Sequence, residues 1–429
     1  MSDWPQTLAS TLPLYPEGAG WPAALRAHGA QQFTRHGVPD SRVEQWKYTS
    51  LRALEERQPG LGDPAASPAS PAPAPVVETR LRAQLHHGDF HALHGDLPPG
   101  VRIRSMREAL GDEDPALKAL LESLDLEQRW QALAALNTAT LNPGLVVQVD
   151  AGVDAGTLLL QWTGCDVQGQ LFNSRVCVLL GEGAVLGLAE QFEDTADSAS
   201  VLNGVMQVSL GAGAQLNHAR VQQLAPASML LTRTAVQQSA TSRFQTTILD
   251  LGAGLARHDV RSALQGQGAS CALNGACVTA GQGHSDHHFE AAHLAAGCHS
   301  SQMYRAVANQ RSRAVFNGKV YIAAGADGSE SLQSSAGLLL SKLAEIDAKP
   351  ELEIYADEVI ASHGATVGQL DEQALFYLRS RGLCAAEARQ LLTMAFCRSV
   401  TDQVAVPEWR EALGACLEHR LEATGATDV

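Results

Sequence analysis

The sequence predicts a mainly β protein: a core of short stacked strands over residues 141–370, with helical segments at 1–140 and 371–429. Three observations carry this. After Leu145 the helical period gives way to short apolar runs such as Val176-Cys177-Val178-Leu179 and Val205-Met206-Gln207-Val208. A G-x-G punctuation recurs at Gly181, Gly211, Gly252, Gly266 and Gly281, with gaps of 30, 41, 14 and 15 residues, several near multiples of a common short unit. Aromatics make up only 5 % of a chain holding 38 glycines, which suits a thin interior of small residues. Strand, glycine turn, strand without long helices has two physical solutions. One is an antiparallel sandwich. The other is a parallel β-helix, whose coils stack on one another. The scarcity of large rings favours the β-helix, and the residues alone leave both open.

Taken in order, Gly20 to His36 and Ser41 to Arg57 are helix-friendly, the second carrying Val43, Trp46, Leu51 and Leu54 near helical spacing. Residues 59–75 hold six prolines among Ala and Ser, so they predict a flexible or extended linker. A β-like stretch surrounds Val101-Arg102-Ile103, and helical segments follow through Leu110 to Leu121 and Trp130 to Leu136. Asn142-Pro143-Gly144 is a turn signal. Beyond the strand-rich core, Asp371 is an N-cap for Glu372 to Arg381, with Gly382 as the stop. Further helices are expected from Ala385 to Ser399 and from Pro407, which carries Trp409, Leu413, Cys416 and Leu417. Helical segments at both ends would cap the exposed strand edges of a solenoid.

A formal charge of −15 repels phosphate backbones and argues against nucleic acid as a partner. No run of about 18 apolar residues is present to cross a bilayer. Met1-Ser2-Asp3-Trp4-Pro5 lacks a basic, apolar leader, and the expected location is cytoplasmic. The eight cysteines, Cys165, Cys177, Cys271, Cys277, Cys298, Cys384, Cys397 and Cys416, include no C-x-x-C pair, so no zinc ribbon or ferredoxin-type site is expected. Reduced, mostly buried thiols are expected instead. No P-loop, G-x-S-x-G elbow or H-E-x-x-H motif occurs, so the chain is expected to be no enzyme and to have no catalytic residues of its own.

The densest polar cluster is His284-Ser285-Asp286-His287-His288-Phe289-Glu290, followed by His293. On a strand, His284, Asp286, His288 and Glu290 would share one face. Such a set could bind a metal, but a polar outer face hydrogen-bonding between coils is the plainer reading. His363 sits in Ala361-Ser362-His363-Gly364-Ala365-Thr366-Val367-Gly368, at the predicted end of the core.

Two stretches are family-specific. One runs from Phe316-Asn317-Gly318-Lys319-Val320 to Lys349-Pro350-Glu351-Leu352-Glu353-Ile354-Tyr355-Ala356-Asp357; the other runs from Ser362-His363-Gly364 to Phe376-Tyr377-Leu378-Arg379-Ser380-Arg381-Gly382. Together with Arg42-Val43-Glu44-Gln45-Trp46-Lys47-Tyr48-Thr49, His284-x-Asp286 and His293, they resemble the SufB/SufD family of iron–sulfur cluster assembly scaffolds. Gly364 after His363 follows the SufD branch, whereas SufB-type chains carry Glu there. The resemblance implies a right-handed parallel β-helix flanked by helical domains. It implies pairing with SufB through the solenoid end, with His363 at the contact where a nascent cluster forms. It also implies docking of the SufC ATPase on the C-terminal helices, for which Phe376, Tyr377, Arg379, Arg381, Leu391, Leu392 and Phe396 are the candidate contacts. ATP-driven motion of SufC would then form or expose the cluster site. The isolated chain is expected to hold no metal or cofactor, and a homodimer in isolation is an open alternative. The assembled complex would hold a transient iron–sulfur cluster, with a bound flavin open. Many SufD chains carry Cys two residues before this histidine; here that position is Ala361, so no thiolate comes from it. The alternatives are a SufB-like paralogue, a β-helix carbohydrate-active enzyme working through Asp286 and Glu290, and a metalloprotein using His284 to His293.

Overall fold

A computed structural model describes residues 4–12, 20–64, 72–112, 114–163, 169–195 and 197–424. Two parallel sheets wind into a β-solenoid of about 7 turns. One sheet is built from β5 (Gly144–Val149), β7 (Gln170–Leu180), β9 (Val201–Leu210), β11 (Met229–Gln238), β13 (Leu255–Leu264), β15 (His284–His293), β17 (Arg313–Ile322) and β19 (Glu345–Ile354). The other takes β6 (Asp154–Thr163), β8 (Val185–Glu193), β10 (Gln215–Gln223), β12 (Arg243–Asp250), β14 (Ser270–Thr279), β16 (His299–Ala308), β18 (Ser329–Leu339) and β20 (Val359–Gly368). Leu255 faces His284 and His284 faces Arg313 across the ladder, 29 residues apart each time, while Met229 to Leu255 takes 26 and Arg313 to Glu345 takes 32. This explains the irregular glycine spacing. Gly181, Gly211 and Gly266 lie at one corner of the coil, and Gly252 and Gly281 at the other. Gaps of 14 and 15 are half-coils, and 30 is a full coil. At the first corner a methyl group on Gly211 would stand 2.7 Å from the Glu182 nitrogen, so stacking of coil on coil excludes a side chain.

Inward positions alternate along each strand. Val176, Val178 and Leu180 meet Leu186, Leu188 and Phe192 in one continuous core that extends to Phe289, Tyr304 and Phe316. Outer faces are covered by helices. On one side lie α1 (Trp4–Thr11), α2 (Trp21–His36), α4 (Met106–Gly111), α5 (Pro115–Glu122) and α6 (Ala132–Ala139), with α5 and α6 against β7 and β9. On the other, α8 (Ala385–Thr401) and α9 (Pro407–Ala423) pack Cys397, Val400, Trp409, Leu413 and Leu417 against Ala189, Leu249 and Val307. The Trp409, Leu413, Leu417, Leu421 spacing puts all four on one helix face. Asp371 caps α7 (Glu372–Ser380) by accepting from the Gln373 nitrogen at 2.8 Å. Among the described residues, no helix is long and apolar enough to cross a membrane.

Four expectations change. Residues 41–57 are not one helix: Glu44–Trp46 form a 3-10 turn and only Arg52–Arg57 (α3) are α-helical. Trp46 and Thr49 are drawn onto the sheet instead, which a continuous helix would prevent. Part of the proline-rich stretch is tethered rather than flexible. Gly60–Leu61 (β1) pairs with β7, and the Gln161 amide donates to the Pro73 carbonyl at 3.0 Å; residues 65–71 lie outside the described residues, as does Cys165. The first end of the solenoid is closed by strands, not helices: β2 (Leu81–His86) and β3 (Asp89–His94) form an antiparallel pair on one sheet, and β4 (Val101–Ser105) runs antiparallel to β5 on the other. Finally, the helices clasp the sides and leave the far end uncapped. β19 and β20 each have one strand neighbour only among the described residues, and Tyr355 and Ile360 are 63 % and 68 % exposed.

Candidate functional site

His363 lies at that open end. It is exposed, on β20, opposite Gln333 in the ladder. Gln333 in turn faces Gln302, whose amide oxygen accepts from Gln333 Nε2 at 2.9 Å. His363 is therefore the last member of an inward-facing row. Ala361 shares its side of the strand. Imidazole at this spot faces whatever covers the end of the stack, and its nitrogen suits borderline metals such as iron.

His284 and Asp286 have a different setting. With His288 and Glu290 they do share the outer face of β15, as strand alternation predicts. The R-x-E-x-W-K-Y-T segment then closes over them. Trp46 lies on the Arg257 guanidinium, 3.9 Å from its carbon. Arg257 Nη1 donates to Asp286 Oδ2 at 2.5 Å and Nη2 to Asp259 Oδ1 at 2.9 Å. Thr49 Oγ1 donates to the same Asp286 oxygen at 2.5 Å and lies 2.9 Å from His284 Nε2. Lys349 Nζ reaches Glu44 at 2.5 Å. Burial pushes the Asp286 pKa up, but the charges of His288 and Arg257 and bonds from His288 and Thr49 outweigh it and hold it far below the carboxylate range. The cluster is a buried clasp that fastens the N-terminal segment to the sheet, with Asp286 Oδ2 taken up by donors from Thr49 and Arg257.

His293 is not part of this group. It points to the other side, buried, with Nε2 2.8 Å from Ser300 Oγ. Burial pulls its pKa down to about 4. An unfolded histidine titrates near 6.5, so between about pH 6.5 and 4 the unfolded chain takes up a proton that the folded chain refuses. Stability should thus fall by about 2–3 kcal/mol as pH drops through that window. His293→Gln should flatten the slope in urea titrations at pH 7, 5.5 and 4; an unchanged slope would remove His293 as its cause.

The expected helix contacts divide. Phe376, Tyr377, Arg379, Arg381 and Leu391 are exposed, with Phe376 at 74 %. Leu392 is half-buried, and Phe396 packs with the cluster that holds α8 to the solenoid. Of the seven described cysteines, five are buried, Cys416 is half-buried, and Cys384 is exposed at the start of α8. Burial raises Cys177, Cys271 and Cys277 to about 12, so these are inert thiols.

The sequence reading passed over a polar line inside the solenoid. Glu190 accepts from Arg220 Nε at 2.7 Å and lies 3.0 Å from His218 Nε2; both partners, like Glu190, are buried. Arg220 continues to Thr232, and Thr232 to His258. The signal was available: Glu190 has the parity of Leu186 and Leu188, so a strand reading of Val185 to Glu193 points it inward.

Residues 163–396 match the family model for the SUF system FeS cluster assembly SufBD core domain. The chain is 28 % identical over 379 residues to the iron–sulfur cluster assembly protein SufD of Escherichia coli, covering 87 % of this chain and 86 % of that one. An iron–sulfur cluster assembly SufBD family protein of Synechocystis is 28 % identical over 404 residues, 89 % of this chain and 87 % of the other. The iron–sulfur cluster assembly protein SufB of Bacillus subtilis is 24 % identical over 306 residues, 68 % and 64 % of the two chains.

Proposed function

The chain belongs to the SufBD family of SUF-system iron–sulfur cluster assembly proteins, and on that premise we propose that it is the SufD-type scaffold subunit of an assembly complex. One observation carries the reading: the open end of the solenoid. Unpaired strand edges beside exposed Ile354, Tyr355, Ile360 and Val367 are a surface that invites a sister strand pair. A SufB-type chain is the natural partner, because its own solenoid would continue the ladder. His363 would then stand at the junction, where the nascent cluster is the cargo. With Ala361 beside it, thiolate ligands would come from the partner's side.

Co-expression with SufB- and SufC-type partners, followed by size-exclusion chromatography, tests this. One complex containing all three chains is expected; elution of this chain apart from the SufB partner would refute the pairing. His363→Ala should leave assembly intact and lower cluster maturation in cells at least tenfold. Wild-type maturation would take His363 out of the mechanism.

We infer that the ATPase docks on α7, a reading supported by the exposure of Phe376 and Tyr377. Phe396 is a poor probe, since its replacement would disturb the solenoid contact itself. Phe376→Glu with Tyr377→Glu should abolish co-purification of SufC while the SufB pairing survives. Retention of SufC would place its dock elsewhere.

A further inference from the structure

The solenoid interior contains a second constellation that the assembly function does not use. Asp250 ends β12, and His258 and His287 face each other across the β13–β15 ladder. All three are buried, at 2 %, 0 % and 0 % exposure. One donor atom from each lies within 4.8 Å of the others. His287 Nε2 stands 3.4 Å and His258 Nε2 3.7 Å from the same oxygen, Asp250 Oδ2. These separations exceed a good hydrogen bond of about 2.7–3.2 Å. They fit the edge of a tetrahedron around an ion with ligands at about 2.0–2.2 Å, for which neighbouring donors are about 3.3–3.6 Å apart.

The hydrogen bonding points the same way. His287 has no partner on either ring nitrogen, and His258 Nε2 has none. Buried polar atoms without partners call for an explanation. His258 Nδ1 is taken up by the Thr232 hydroxyl at 2.8 Å. His258 Nε2 and His287 Nε2 both face one oxygen of Asp250 in a dry interior without a hydrogen-bond partner of their own. A cation held between them would satisfy all three groups. The carboxylate is aimed from outside the set as well: Gln222 Nε2 donates to Oδ1, and Ser285 Oγ to Oδ2. Such second partners orient the ligands of metal sites.

We propose that Asp250, His258 and His287 bind one divalent first-row transition ion, zinc or iron(II), inside the solenoid. Two imidazoles and one carboxylate are a ligand set for these ions, with a further position open to a small ligand such as water. The ion is structural. No described surface opens onto the three side chains, so it enters as the coils close, and it ties the β12 end to β13 and β15. It is distinct from any cargo cluster and from the clasp at His284 and Asp286 on the outer face.

The test uses the full chain alone, so its outcome is independent of partner binding. Protein purified without chelator should carry about one zinc or iron per chain by elemental analysis. Refolding from urea with cobalt(II) should give the visible d–d bands of a tetrahedral site. His258→Gln and His287→Gln should each lower the ion content at least tenfold, with the fold checked by circular dichroism, while His284→Gln on the outer face should keep it. Refolding the wild-type chain with and without zinc or ferrous ion needs no substitution: the ion should raise the urea midpoint. Less than a tenth of an equivalent in both the purified and the refolded chain, or equal ion content in the variants, would overturn the site and leave a plain buried contact between Asp250 and two imidazoles.

Discussion

Asp286→Ala should cost about 3–5 kcal/mol of folding free energy, read as a shift of the urea unfolding midpoint. The size follows from what the substitution leaves behind. Arg257 is 1 % exposed, sandwiched between Trp46 and the sheet, and Asp286 supplies the nearest anion at 2.5 Å. Removing it strands a buried guanidinium with Asp259 as its remaining carboxylate partner. Thr49 loses its acceptor in the same stroke, which loosens the hydroxyl that His284 is bonded to. Replacing a buried pair as a unit is far milder, so Asp286→Leu with Arg257→Met should recover much of the loss. A single-variant loss below about 1 kcal/mol would show that the clasp is decorative. Limited proteolysis gives a second reading, since the N-terminal segment should become cleavable before the solenoid does.

Gly144→Ala should be as damaging or worse, at about 4 kcal/mol or more, with most of the protein insoluble on expression. Gly144 opens β5 at φ +127, a conformation nearly closed to residues with a Cβ. A methyl group there would sit 1.9 Å from the Arg175 carbonyl oxygen on the next coil. The clash is with backbone, so no rotamer change relieves it. Gly183→Ala is the control: φ is +65 and nothing lies within 4 Å, so only the left-handed backbone is penalised, by about 1–2 kcal/mol. Equal losses for the two would show that φ alone, and not the approach of the coils, sets the cost.

Much of the architecture was legible because its signals are local. Glycine corners, period-two strands, the Asp371 cap and the Trp409 stripe all follow from residues near one another in sequence. The split of the G-x-G motifs between two corners was not legible, since half-coils of 14 and 15 residues look like irregular spacing until the stack is known. The antiparallel pair over 81–94 carried a usable signal in its first strand, where Leu81, Ala83 and Leu85 alternate with polar residues and enter the core, but six residues beside a proline-rich stretch are a short run to read. At the site, strand parity correctly put His284 and Asp286 on one face. It could not say that Trp46 and Thr49, more than two hundred residues away, would cover them. His293 was grouped with them by proximity in sequence, although its odd offset from His284 turns it to the opposite side. The interior ligand set was hidden for the same reason: Asp250 and His287 lie on different sheets, and only closure of the coil brings them together.

The side-mounted helices have one more consequence. The apolar seam under α8 and α9 links Leu159, Ala189, Val221, Leu249, Ala276, Val307 and Leu338, which spans strands from β6 to β18. A bare stack of coils would melt one rung at a time; this strap obliges most rungs to melt together. No residue of β20 belongs to the seam. The final rung can therefore peel away or be gripped while the remainder holds, so the molecule pairs a stiff handle with a compliant tip.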